Sequence, residues 1–320
     1  MVDLLRPRRG SMAFRPRKRS RTQNVSPYWQ SVDEKRVIGF PGYKAGMTHI
    51  SYIDESDSPF KGQEVVSAAT VIEVPPVVVY GYRIYCEGNS ISDELTRDEK
   101  ILKILNFRKP RSETNQTKPV HISEMKAKDV RLLVFAQPSK SAFGKKHIEA
   151  MELGLGGATL VEKLEHAKNL LGKELKAKDV FKPGEYLDVL SVSKGKGWQG
   201  AVKRFGVKIQ RRKATGKMRH VGTLGQWHPA YVLYTVPQAG QMGYHRRTEL
   251  NKMIFKIDSN VDEINPKGGF KNYGFIKSDY LLVKGSVPGP SKRLVKLRLA
   301  VRESGVKEPK VNYISLDSKR

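Results

Sequence analysis

The chain has 320 residues, enough for one large domain or two smaller ones, and carries 59 Lys and Arg against 32 Asp and Glu for a formal net charge of +27. A pI near 10.0 puts nucleic acid first among possible partners and an anionic membrane surface second. The single cysteine, Cys86, excludes an intrachain disulfide and a thiolate metal cluster, and fits a reducing cytosol.

Residues 1–35 read as a basic extended arm. Arg6, Arg8, Arg9, Arg15, Arg17, Lys18, Arg19 and Arg21 follow Asp3 with no acid among them. Pro7, Gly10, Pro16 and several serines disfavour a helix, so the arm is expected to become ordered on a phosphate backbone. The planar fork of arginine suits bidentate phosphate contacts. A disordered solubility tail is the competing reading. No apolar run follows these residues, so a signal peptide is not expected.

From Arg36 the pattern is strand-like. Residues 36–40 and 47–54 are predicted as a hairpin turning at Pro41-Gly42 and Gly46, and residues 65–74 and 77–85 as two strands parted by Pro75-Pro76. Val71 to Tyr85 is the most apolar stretch, but Glu73, the proline pair and Arg83 break it too often for a membrane span. Residues 91–180 are mixed. Helical spacing covers 93–105 and 159–171, the latter with Leu160, Leu164, Ala167 and Leu171 on one face, and 131–135 reads as a strand. Further strands are predicted over 185–192, 252–257, 280–283 and 294–301, with Gly- and Pro-rich turns such as Gly285 to Pro290. The predicted architecture is mainly β: a barrel core from 36–90 and 181–320, with an inserted α/β subdomain over 91–180.

Charge is unevenly spread. Residues 1–80 and 81–188 each carry a net +4 and residues 249–320 a net +7, whereas Val189 to Thr248 holds 12 basic residues and no acid. Such a block suits close approach to a continuous polyanion; a solvated basic loop is the alternative. Trp198, Phe205, Ile209, Trp227, Tyr231, Tyr234 and Tyr244 weigh against that alternative, since a solvated loop has little use for them.

Gly195-Lys196-Gly197-Trp198-Gln199-Gly200 fits the GxGxxG spacing of a dinucleotide-binding turn. That chemistry needs an acid about 20 residues on for the ribose hydroxyls, and the next acid is Glu249. The bare glycine backbone is better read as letting a phosphate approach while lysines neutralise it. A tight strand-to-loop turn with incidental lysines is compatible with both readings. The sequence contains no Walker, HExxH or GxSxG pattern and no Cys/His metal spacing, so no enzyme activity is expected. His220, His228 and His245 lie in the acid-free block without a nearby carboxylate to orient them, and read as polar RNA contacts rather than general bases.

Phe181, Asp188, Ser191, Ser193, Gly195, Lys196, Gly197, Gly200 and Arg204 reproduce the spacing of a known signature. Further matches are Gly225 to Ala230, Gln238 to Glu249, Asn265 to Phe270 and Val283 to Pro290. On these motifs, from about Pro16 to Arg302, the chain resembles the ribosomal protein L three family in its archaeal and eukaryotic form. The resemblance implies a six-stranded β-barrel of the translation-factor kind, a basic N-terminal arm and a long finger loop over 194–248. Both are expected to be buried in large-subunit ribosomal RNA, with the loop tip at Trp227 approaching the peptidyl-transferase centre. A part in early subunit assembly and a place in the cytoplasmic ribosome beside neighbouring large-subunit proteins follow likewise. Where eukaryotic relatives carry a modified histidine, alignment from Trp227 places Thr215.

The finger residues expected to neutralise phosphates are Lys194, Lys196, Lys203, Arg204, Lys208, Arg211, Arg212, Lys213, Lys217 and Arg219, with Gln241, Arg246 and Arg247 on the return. Trp227 is the candidate base-stacking residue, with packing against its own loop as the alternative. No cofactor, small-molecule substrate or membrane is expected; structural Mg or K ions would come bound through the RNA. An RNA-modifying enzyme and a DNA-compacting protein are the other classes. The first needs an acid/base cluster or cofactor pocket in 81–188, and the second differs from the RNA reading only through the family motifs.

Overall fold

The computed structural model describes residues 9–86, 91–106, 127–214, 216, 218–302, 305 and 309–317. In chain order the first elements are β1 (Gly39–Ile53), β2 (Glu64–Glu73), β3 (Val77–Cys86), β4 (Ile91–Leu95), α1 (Glu99–Ile104) and β5 (Ala127–Ala136). There follow β6 (Glu149–Gly154), α2 (Leu160–Leu170), β7 (Glu174–Leu175), α3 (Ala177–Val180) and β8 (Tyr186–Val192). The acid-free block supplies β9 (Trp198–Gln199), α4 (Ala201–Phe205) and β10 (Gly240–Gln241); β11 (Arg246–Asp258), β12 (Tyr280–Lys284), β13 (Leu294–Leu299) and β14 (Lys310–Ile314) complete the order.

The chain divides into two compact units, residues 24–191 with 248–320, and residues 1–23 with 192–247. The first holds two sheets. In one, the strand order β13-β8-β11-β12-β2-β1 returns to β13, so six strands pair in a closed circuit, with β14 added on β1. The other runs β4-β3-β5-β6, with β7 also on β3. One continuous apolar cluster joins them: Phe40, Tyr43, Ile72 and Leu297 from the first sheet with Val79, Leu132, Val134 and Leu153 from the second. Fully burying side chains of this size contributes about 1.5–3 kcal/mol each.

The predicted hairpin over 36–54 is instead the single long strand β1, which pairs with β13 over Gly39–Tyr43, β2 over Tyr43–Ile53 and β14 over Ile50–Ile53. Its glycines serve close packing rather than turning. A Cβ on Gly42 would lie 2.6 Å from the Ile72 side chain, and one on Gly46 2.5 Å from the Phe270 ring. Pro41 precedes the β2 ladder, where that edge of the strand needs no amide donor. β3 pairs in the second sheet rather than with β2, because Pro75-Pro76 supplies no amide hydrogens to carry a ladder across.

The predicted helix over 93–105 is half strand. Ile91–Leu95 forms β4, and α1 begins only after Asp98, whose carboxylate accepts the Lys100 amide at 2.9 Å. The helix predicted over 159–171 is α2. Thr159 Oγ1 accepts the Glu162 amide at 3.3 Å while the Glu162 carboxylate accepts the Ala158 amide at 3.1 Å, and Leu164 and Ala167 face the core.

Two buried carboxylates tie loops to the ring. Glu73 accepts the Lys277 and Ser278 amides at 2.9 and 3.0 Å, together with the Tyr273 hydroxyl. Burial first, and then the Glu73 charge, pushes the Tyr273 phenol far above its ordinary range, so it stays a donor. Asp188 accepts from Arg298 at 2.6 Å and from the Asn251 amide at 3.1 Å; its side chain is fully buried. Arg298 also donates to the Tyr28 carbonyl.

Candidate nucleic-acid interface

The smaller unit is built from two stretches distant in sequence, and it holds 20 of the chain's 59 basic residues but only one of its 32 acids, Asp3. With almost no carboxylate available, its charged groups must be held by other means. Aromatic rings provide one. The Arg15 guanidinium lies 5.1 Å over Tyr234, Arg17 and Arg204 lie 4.6 and 5.1 Å from Phe205, and Arg247 lies 4.8 Å over Phe14. Backbone carbonyls provide the other. Arg15 donates to Tyr234 O at 2.7 Å, Arg17 to Ser11 O at 2.9 Å, and Arg204 to Gln238 O at 2.9 Å and Gln241 O at 3.1 Å.

These arginines repel one another. Arg17 is held below its ordinary pKa by burial and then by Arg15; Arg204 by burial, Arg17 and Arg15; Arg247 by burial and Arg17. All remain cationic at neutral pH, because guanidinium deprotonates only far above it. The result is a preassembled positive cluster, which a polyanion would stabilise and a free cation would not.

The arm is clasped to the finger's return. Ser20 N donates to Tyr244 O at 2.8 Å, and His245 Nδ1 lies 2.9 Å from Lys18 O, which places the ring proton on Nδ1. His245 is only 7% exposed, so its ring engages the arm's backbone rather than solvent. At the finger root, Lys196 N donates to Met242 O at 3.0 Å and Met242 N to Gly197 O at 2.9 Å, flanking the β9–β10 pair. Gly243 is required there: its φ is +74°, and a Cβ would lie 2.1 Å from Lys194 O. Gly200 opens the five-residue α4, so the GxGxxG run does lead into a helix, though a far shorter one than a dinucleotide turn presents.

Of the residues singled out from sequence, Arg9, Lys18, Arg19, Arg21, Lys194, Lys196, Lys203, Lys208, Arg211, Arg212, Lys213, Arg219, His220, His228 and Arg246 are exposed. Arg15, Arg17, Arg204, Gln241 and Arg247 are half-buried in the clasp. Ala214 N donates to Arg211 O at 2.9 Å, a turn that displays Arg211 to Lys213. Trp227 is 87% exposed. Arg6, Arg8, Lys217 and Thr215 lie outside the described residues. Phe14 and Phe205 adjoin Arg15 and Arg204 in the sequence, a signal for aromatic seats, whereas no Lys or Arg lies between Arg219 and Arg246, so nothing in the sequence marks Tyr234 as one.

Among the described residues no group of three or more His, Cys, Asp or Glu is placed to hold a metal ion, and no helix is long and apolar enough to cross a membrane. The family model described as Ribosomal protein L3 matches residues 2–319. The protein named large ribosomal subunit protein uL3 from Methanobrevibacter smithii is 45% identical over 334 residues, spanning 100% of this chain and 99% of its own. The proteins of that name from Methanothermobacter thermautotrophicus and Methanocaldococcus jannaschii are each 44% identical, over 98% and 100% of this chain and 98% and 99% of their own. All three sources are archaeal, and none of the three proteins is named for an enzymatic activity. The chain belongs to the ribosomal protein L3 family.

Proposed function

We propose that this chain is a structural constituent of the cytoplasmic large ribosomal subunit and binds large-subunit ribosomal RNA through residues 1–23 and 192–247. The observation that carries the reading is the mutually repelling cluster of Arg15, Arg17, Arg204 and Arg247, seated on aromatic rings and carbonyls. RNA phosphates are the missing counter-charge. The exposed Lys194, Lys196, Lys203 and Lys208 and the Arg211 to Lys213 turn extend that surface, and such contacts position without specifying sequence.

Specificity is then supplied by shape and by a few aromatic contacts, of which the 87%-exposed Trp227 is the foremost. A tip of this kind suits a part in shaping RNA around the peptidyl-transferase centre, and the clasped arm suits joining RNA segments early in subunit assembly. Neighbouring large-subunit proteins are the other partners, and ions at the interface are carried by the RNA rather than by a protein site.

The test is sedimentation of tagged full-length chain from the source cell. Stable migration with the large subunit through a high-salt wash is expected. Free protein, or protein migrating with the chromosome, overturns the reading.

A further inference from the structure

Within the smaller unit, Arg19 and Arg21 of the arm and Gly195, Gly197, Gln241 and Tyr244 of the finger root line an open groove of about 700 Å³. One wall is bare backbone: a Cβ on Gly195 would lie 3.7 Å from the Tyr244 Cβ, and around Gly197, at φ +66°, the space is empty. A phosphate can therefore approach the peptide units closely, in a groove that Arg19 and Arg21 also line.

Next in sequence to Gly197 of the groove stands a largely exposed aromatic ring. Trp198 is 77% exposed, and it pairs directly with Gln241 across the β9–β10 ladder. Directly paired residues project from one face of a ladder, so the indole stands on the side where Gln241 lines the groove. A 77%-exposed tryptophan forgoes most of the burial that normally justifies so large an apolar surface.

We propose that this groove holds one unstacked, single-stranded nucleotide of ribosomal RNA: its flanking phosphates on Arg19 and Arg21, its base on the Trp198 indole. The proposal rests on the RNA-binding reading and adds a nucleotide site distinct from the Trp227 tip. A base held in a duplex offers no free face to the ring, whereas a looped-out base of any identity does. The groove is thus selective for single strands without reading sequence, unlike the lysine surface, which accepts any phosphate backbone.

The experiment compares full-length wild type, Trp198→Ala and Trp198→Phe for binding to a ten-nucleotide single-stranded RNA, a blunt RNA duplex of equal length, and intact large-subunit ribosomal RNA, at fixed salt. Trp198→Ala is expected to weaken single-strand binding about ten-fold. Trp198→Phe should recover most of that loss, and duplex affinity should not change. Arg19→Ala with Arg21→Ala should weaken the single strand further and flatten its salt dependence. If Trp198→Ala leaves both RNAs unchanged or weakens both equally while ribosomal RNA still binds, the nucleotide site is overturned and the RNA-binding reading stands. If wild type fails to bind ribosomal RNA, both fall. Trp198 is largely exposed, and matched thermal melts of the three proteins check that each folds.

Discussion

The two units of this chain solve the problem of charge in opposite ways. In the larger, cations are matched to carboxylates: Arg83 to Asp93 at 2.6 Å, Arg36 to Glu185 at 2.8 Å, and buried Arg298 to buried Asp188 at 2.6 Å. In the smaller, arginines rest on rings and carbonyls, and their positive charge is left uncompensated. The larger unit sets 31 acidic residues against 39 basic ones, and is stable through its core. The smaller is preshaped, but electrostatically it is complete only with a polyanion. Charge that is paired within a fold sustains the fold; charge withheld from pairing is available to a partner.

The largest expected effect breaks or upholds that contrast directly. Affinity of the full-length chain for large-subunit ribosomal RNA should fall by about 10³–10⁵ between 50 and 200 mM salt, as expected for six to ten phosphate contacts. A log–log slope shallower than about −3 in a filter-binding titration would show that the smaller unit is not the principal contact.

Next comes a stability effect confined to the larger unit. Asp188→Ala strands the Arg298 guanidinium, whose side chain is only 7% exposed, and should cost about 3–5 kcal/mol in chemical denaturation. The triple variant Arg211→Ala, Arg212→Ala, Lys213→Ala should leave the denaturation midpoint where it is and reduce the salt slope by about 2–3. A large stability loss in the triple variant would erase the distinction between the units.

A smaller effect is expected at the tip. Trp227→Ala should leave incorporation into subunits intact while changing chemical reactivity of RNA near the catalytic centre, with a loss of about 1–3 kcal/mol of stacking. Unchanged reactivity in mutant subunits would remove Trp227 from the interface.

The smallest concerns pH. Burial acts to raise the Asp258 pKa, but the Lys256 ammonium 3.0 Å away and the Ser259 and Asn260 amides outweigh it and hold the value at about 2 against an ordinary 3.8. A carboxylate with a depressed folded pKa contributes stability that is present above pH 3.8 and is lost as the pH falls towards 2. Because the group is largely solvent-screened, that contribution should stay below about 1 kcal/mol. Denaturation of wild type at pH 5 and pH 2.5 should differ by that much more than in Asp258→Asn.

Much of this was legible in the sequence. The missing acids between Asp188 and Glu249 already mark the proposed interface, because net charge is a property of composition and needs no coordinates. The strands β2, β8, β12 and β13 are readable from short apolar runs bounded by turn residues. Illegible were features that depend on distant partners. Gly42 and Gly46 look like turn residues until Ile72 and Phe270 are seen against them. His245 looks like an exposed contact until the Lys18 carbonyl, 227 positions away, is found at its ring. Arg204 is one basic residue among many until its guanidinium is seen strapping residues 238–241. Short motifs announce that such residues matter, but a partner remote in sequence leaves no periodic trace.

The clasp between arm and finger also has a consequence during synthesis. Its two halves are separated by residues 24–191, so the arm leaves the translating ribosome well before the carbonyls and rings that hold it exist. At typical elongation rates of about 5–20 residues per second, that interval is on the order of ten to thirty seconds. Throughout it the nascent arm is a bare polycation, competing for any nearby RNA. The order in which its halves are translated makes protection of the newborn arm a requirement of producing the protein, before subunit assembly begins.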